Sequence, residues 1–151
     1  MCANAAPGHR RARWARLRRG LPAAWFVRAA WILGYLIGTS THLIDLVLGG
    51  TQVYAAFPLE LRLFWISLTV FDPLVVILLV LRNKAGIALG VAVIVSDIAV
   101  NWTVYVTTDG QPLFGVINQT AFAILILSTA RQLWKWFDER PRSAGCQGSA
   151  V

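Results

Sequence analysis

The feature that most constrains this chain is a series of four long apolar stretches separated by short polar or basic segments. They cover residues 25–48, 61–81, 85–106 and 113–137. At about 1.5 Å per residue, each stretch is long enough as a helix to cross a hydrocarbon core of about 30 Å. Backbone polar groups in lipid must be paired within the spanning segment, so helices are the expected form. The sequence therefore predicts an all-α membrane protein built as a four-transmembrane-helix bundle.

The composition also favours a membrane protein. Charged residues make up 14% of the 151 residues and hydrophobic residues 57%, whereas a soluble domain is about 25% charged. A net charge of +7 would also suit a nucleic-acid-binding protein, but the basic residues lie on tails and a tight turn. We therefore expect them to contact anionic lipid headgroups and not nucleic acid.

The distribution of Lys and Arg predicts the orientation of the bundle. Thirteen of the fourteen lie in the N-terminal segment, in the Arg82–Lys84 turn or near the C-terminus, if Arg28 and Arg131 snorkel from helix ends. Only Arg62 lies on the other side. The positive-inside rule then puts both termini in the cytoplasm. The preference for Arg over Lys, 12 to 2, is typical of a GC-rich bacterial genome, and we expect a multi-pass protein of the inner (plasma) membrane.

Three regions follow from this pattern: a basic juxtamembrane segment (1–24), the transmembrane domain (25–137) and a disordered cytoplasmic tail (138–151). In the first region, Trp14 and Leu17 recur at helical spacing, which indicates a basic helix lying on the lipid surface. A cleaved leader is the alternative interpretation. It is disfavoured because the apolar run that follows is too long for the core of a signal peptide.

Small residues are expected to bring the helices together, because lipid supplies no hydrophobic drive for helix association. Gly34 and Gly38 form a GxxxG pair in the first span, and Gly86 and Gly90 form another in the third. Each pair continues at steps of three and four residues into polar side chains further along the same helix. We expect these faces to point into a compact bundle.

Ionisable residues inside the apolar spans are the main candidates for function, because each costs about 2.5–3.5 kcal/mol on insertion scales. The candidate catalytic residues are His42, Asp45, Asp72 and Asp97. The candidate ligand-binding residues are Asn101, Trp102, Asn118 and Gln119. The predicted topology places the ionisable residues and the amides in the outer half of the bundle. The sequence therefore predicts an intramembrane polar pocket that opens outward and is sealed from the cytoplasm.

The charges of these groups constrain one another. Three carboxylates and one imidazole cannot all be ionised in a dry site without Lys or Arg. We expect a protonated His42 near Asp45, with at least one of Asp72 and Asp97 neutral. A structural role is the alternative for each: Asp72 precedes Pro73 and could satisfy backbone donors freed there, and Asp97 could pair helices.

No metal or cofactor is expected. The spans contain no Glu-x-x-His or His-x-x-x-His spacing. Cys2 and Cys146 lie in the two tails without nearby ligand residues, so neither a zinc site nor a structural disulfide is expected.

Three functions remain open at this stage, and the sequence does not decide whether the protein is an enzyme. The first is a pocket that binds or converts a small apolar ligand, with His42 and Asp45 as a proton-transfer pair. The second is proton-coupled transport by a homo-oligomer, and the third is an accessory or assembly subunit of a membrane complex. The set of inward His, acidic and Asn residues on four spans is similar to that of membrane isomerases of the EXPERA type. This chain has Asp where those use Glu and shares no stretch of motif with them, so membership is not inferred.

Overall fold

The computed structural model describes residues 7–108 and 113–138, with side chains described from residue 23 onward except at residue 51. These residues form helices α1 (Pro7–Gly49), α2 (Leu59–Val80), α3 (Lys84–Thr107) and α4 (Leu113–Asp138), with a short 3-10 turn at Gly50–Gln52. All four helices contain a stretch long and apolar enough to cross a membrane, which in α1 is Ala23–Gly49. The predicted all-helical fold with four such helices is confirmed.

The main difference from the expected boundaries lies at the start of the chain. Helix α1 begins at Pro7 and continues without interruption for 43 residues into the first apolar stretch. Proline suits the first turn of a helix, and the Arg, Ala and Leu residues that follow are strong helix formers, so the helix persists through Pro22. The basic segment and the first span therefore form one helix. The segment 109–112, the tail 139–151 and both cysteines lie outside the described residues.

The turn between α2 and α3 is tight and well capped. Arg82 adopts a left-handed backbone conformation with φ of +53°. The side chain of Asn83 then caps α3 by accepting a hydrogen bond from the Ala85 N–H at 2.9 Å, which satisfies one of the unpaired donors of the first helical turn. This geometry makes α2 and α3 an antiparallel hairpin.

Each helix packs beside its neighbours in sequence, and α1 closes the ring against α4. We call the end of the bundle that carries Arg28, Arg82, Lys84, Arg131 and Lys135 the basic end, and the other end the opposite end. The core includes Trp31, Tyr35, Val75, Leu79 and Ile126, all almost completely buried. Along α2 the buried residues are spaced by three or four positions, as expected for one inward face. That face consists of Trp65, Leu68, Asp72, Val75 and Leu79.

The four glycines of the GxxxG pairs point into the bundle. A Cβ at Gly34 would lie 2.2 Å from the Phe122 ring, and one at Gly38 would lie 2.7 Å from a carboxyl oxygen of Asp72. A Cβ at Gly86 would lie only 3.0 Å from main-chain atoms of α2. The glycine faces are thus filled within a single chain, by an aromatic ring, a carboxyl group and a neighbouring backbone.

We predict that Gly86→Ala destabilises the protein by about 1–3 kcal/mol, because the added methyl group meets the α2 backbone, which cannot rotate away. Thermal unfolding in detergent, followed by circular dichroism, measures the change. Ala88→Val is the matched control, since it adds carbon atoms to the same helix at an exposed position. Equal midpoints for Gly86→Ala and the unsubstituted protein would show that α2 and α3 are not in close contact.

Candidate functional site

A network of buried polar side chains joins three helices in the half of the bundle nearer the opposite end. Asn101 on α3 lies at its centre and is only 4% exposed. Its amide nitrogen donates to Asp97 at 2.8 Å and to Gln119 on α4 at 2.9 Å, and its amide oxygen accepts from the indole N–H of Trp65 on α2 at 3.1 Å. We call these four residues the polar network. Within this network both the nitrogen and the oxygen of the Asn101 side-chain amide have hydrogen-bond partners.

Asp72 lies beside this network but is not bonded to it. Its side chain is 5% exposed and faces Gly38. Asp72 on α2 and Asp97 on α3 are both buried inside the bundle. Tyr35 donates its own hydrogen bond to the Gly90 carbonyl oxygen at 2.6 Å. Among the described residues no group donates a hydrogen bond to Asp72, so the proposed pairing with backbone donors near Pro73 is absent there.

The predicted pair of His42 and Asp45 is not joined by a hydrogen bond. Asp45 is exposed and accepts a hydrogen bond from the Tyr54 hydroxyl at 2.9 Å. Burial raises the pKa of the Tyr54 phenol, and the adjacent Asp45 carboxylate raises it further. His42 is half-buried, and its Nδ1 is enclosed without a hydrogen-bond partner in the described part of the chain. Asp45 thus belongs to a contact with the segment after α1 and not to the polar network.

Two of the predicted ligand-binding residues lie on the outside of the bundle. Trp102 is 40% exposed, and its indole N–H donates to the Thr120 hydroxyl at 2.9 Å. Asn118 is exposed, so the expectation that it faces inward with the others is wrong. Successive residues of a helix are about 100° apart, and the inward face of α4 includes Val116 and Ala123. That face carries Gln119, which leaves Asn118 turned away from it.

Three contributing residues were not identified from the sequence as part of the site. Tyr35 reaches α3, Tyr54 binds Asp45, and Trp31 donates from its indole to the Thr129 hydroxyl at 3.0 Å. Aromatic residues near span ends are common in membrane proteins, because their rings favour the lipid–water interface. The signal that could have separated Trp31 and Tyr35 is their four-residue spacing, which places both on one helical face with Gly34 and Gly38.

A groove of about 570 Å³ opens between the start of α2 and the end of α3, at the opposite end of the bundle. Its walls are mostly apolar, and none of the eight predicted site residues lines it. The lining residues are Ala56, Phe57, Pro58, Leu61, Ala99, Val100, Thr103, Val104, Thr107 and Thr108. This groove lies in the expected half of the bundle, but its chemistry is apolar where a polar pocket was predicted.

Comparison with known proteins gives no matching family model, no matching curated protein and no matching solved structure. Within residues 7–108 and 113–138, no group of three or more His, Cys, Asp or Glu side chains is placed to hold a metal ion.

We predict that Asn101→Leu destabilises the bundle by about 2 kcal/mol, from three hydrogen bonds of about 0.6 kcal/mol each in a membrane interior. Asn118→Leu makes the same chemical change at an exposed position and should leave stability nearly unchanged. Unfolding of both variants in mixed micelles measures the difference. A loss of the same size in both variants would contradict a special role for the Asn101 amide.

Proposed function

We propose that this protein binds a small, mostly apolar ligand in the groove between the start of α2 and the end of α3, at the opposite end of the bundle. In this proposal the chain is a multi-pass protein of a bacterial inner (plasma) membrane, with the basic end and both termini in the cytoplasm. The observation that carries the proposal is the groove itself. Its volume of about 570 Å³ lies within the range of about 300–1,000 Å³ that is typical of small-molecule sites.

The walls of the groove indicate the chemical class of the ligand. Phe57, Leu61 and Val104 offer hydrocarbon surface, which favours a hydrocarbon ligand body. Thr107 and Thr108 lie at the end of α3, and their hydroxyl groups donate to main-chain carbonyl oxygens one turn earlier. The hydroxyl oxygens can still accept a hydrogen bond. A ligand with a hydrocarbon body and one polar donor near the membrane boundary therefore fits best.

The polar network lies behind the groove and sets the position of its wall. The indole of Trp65 stacks edge-on against Phe57, with ring centroids 5.0 Å apart, and Phe57 lines the groove. The same indole is fixed by its hydrogen bond to Asn101. In this proposal Asp97, Asn101 and Gln119 hold the wall in place. His42, Asp45 and Asp72 do not line the groove, so the binding proposal assigns them no role.

Labelling with a long-chain fatty alcohol that carries a diazirine tests the groove. We expect cross-links at α2 and α3 residues of the groove. The variant Ala99→Trp fills the groove and should reduce these cross-links about tenfold, which is equivalent to about 1.4 kcal/mol. Ala121→Trp is the control, because Ala121 is exposed at a similar depth on α4 and does not line the groove. Uniform labelling of all lipid-facing surfaces, or equal labelling of both variants, would contradict the proposal.

Proton-coupled transport by an oligomer is a second candidate, supported by one observation. The Asp72 carboxyl is buried in mid-span, without a donor among the described residues, and buried carboxyl groups of this kind serve proton relays. We predict that Asp72→Asn abolishes pH-gradient-dependent flux in reconstituted vesicles, whereas Asp45→Asn, at an exposed carboxylate, preserves it. Vesicles of the unsubstituted protein without such flux would eliminate this candidate.

A further inference from the structure

Two arginines at the basic end each cap the end of another helix. Arg28 on α1 donates from Nη2 to the Val80 carbonyl oxygen at 2.9 Å, and Arg82 donates from Nη2 to the Trp136 carbonyl oxygen at 2.9 Å. Val80 ends α2, and Trp136 lies in the last turn of α4. The carbonyl groups of a last helical turn lack partners within the helix and carry partial negative charge. Both guanidinium groups are thus held in place by the fold.

In these contacts each arginine keeps its positive charge, and most of its N–H donors form no hydrogen bond to the part of the chain that the structure describes. A guanidinium group has five N–H donors, and one nitrogen of each arginine is engaged. Arg28 bonds to Val80, two residues before Arg82 in the sequence, so the two side chains are held at neighbouring positions of the fold. The nearby Asp138 carboxylate is bonded to Lys84, and no carboxylate in the described part of the chain pairs with either arginine. The Nε of Arg28 is enclosed and has no hydrogen-bond partner among the described residues.

The guanidinium group of Arg82 is also held by a neighbouring aromatic ring. Its guanidinium carbon lies 4.0 Å from the centroid of the Trp136 ring, a stacking geometry that favours a flat guanidinium group. The backbone at Arg82 is in the tight α2–α3 turn, so the side chain starts from a defined point. Two guanidinium groups anchored at neighbouring positions can offer paired N–H bonds to the several oxygens of a phosphate group.

We propose that Arg28 and Arg82 together bind a phosphate group at the basic end, supplied by an anionic phospholipid of the adjacent leaflet. Arg28 lies near the start of the apolar stretch Ala23–Gly49, and Val80 ends the apolar stretch of α2, so the site lies at the depth of lipid headgroups. A lipid phosphate reaches this position from within the leaflet. The site is independent of the groove at the opposite end and does not require that proposal.

Any positive charge near the membrane surface attracts anionic lipid, whether or not its donors are held in place. Arg131 and Lys135 are also at the basic end, and both are exposed. They add to the field that attracts anionic lipid, at about 1 kcal/mol for each residue near the surface. The paired arginines differ because their donors are fixed and directed. Removal of one of them should therefore reduce binding more than removal of an equal charge at Arg131.

The test uses the full-length protein in phosphatidylcholine nanodiscs that contain increasing fractions of phosphatidylglycerol. Native mass spectrometry after mild extraction counts retained phosphatidylglycerol. We expect Arg28→Gln and Arg82→Gln each to reduce its retention about tenfold, and Arg131→Gln to reduce it less than about twofold. Arg28→Lys keeps the charge without the planar donors and should bind with intermediate strength. Equal losses in Arg28→Gln and Arg131→Gln would overturn the site.

Two further measurements separate a loss of binding from a loss of folding and identify the source of the bound phosphate group. Circular dichroism of each variant in phosphatidylcholine alone reports folding, and Arg82→Gln carries the comparison if Arg28→Gln does not fold. Inorganic phosphate is then added as a competitor at the same concentration as the anionic lipid. We expect no displacement of phosphatidylglycerol. Displacement by inorganic phosphate would overturn the lipid as the source of the bound group.

Discussion

The pairing of the Asn101 amide determines how three of the four helices are rotated. In hydrocarbon, water does not satisfy a polar group, so each buried donor and acceptor must find a protein partner. Asn101 takes one partner from α2, one from its own helix and one from α4. A rotation of any of these helices by one residue, about 100°, would break a bond and leave an unpaired amide or indole inside the bundle.

Helix α1 is held by a different kind of contact. It contributes no member of the polar network, and its inward face carries Gly34 and Gly38 together with two large aromatic residues. Trp31 bonds to α4 and Tyr35 bonds to the backbone of α3 across the bundle. The glycines make room for Phe122 of α4 and Asp72 of α2. Helix α1 therefore packs mainly through shape, and the hydrogen bonds of Trp31 and Tyr35, together with that of Arg28 at the basic end, fix its register.

Much of this could be predicted from the sequence, because span length, apolar runs and turn residues act locally. The inward position of the glycines and of Asp72, Asp97 and Asn101 followed from spacing along single helices. Asn118 was misplaced because it and Gln119 are adjacent, and only the packing of α4 decides which amide faces inward. The partner of Asp45 was missed for a related reason. Tyr54 lies beyond the end of α1, and its return to that helix depends on how the connecting segment folds.

The groove was not predictable because it results from missing contacts between two helices. Near the turn, α2 and α3 approach closely at Gly86, and in the half nearer the opposite end the bond between Trp65 and Asn101 holds them together. In the groove the facing side chains include the small residues Ala56, Ala99 and Thr103, which leave the space between the helices unfilled. A ligand that fills this space would gain packing contacts without breaking any hydrogen bond of the polar network. Binding there can therefore proceed while the pairing of Asn101 stays intact.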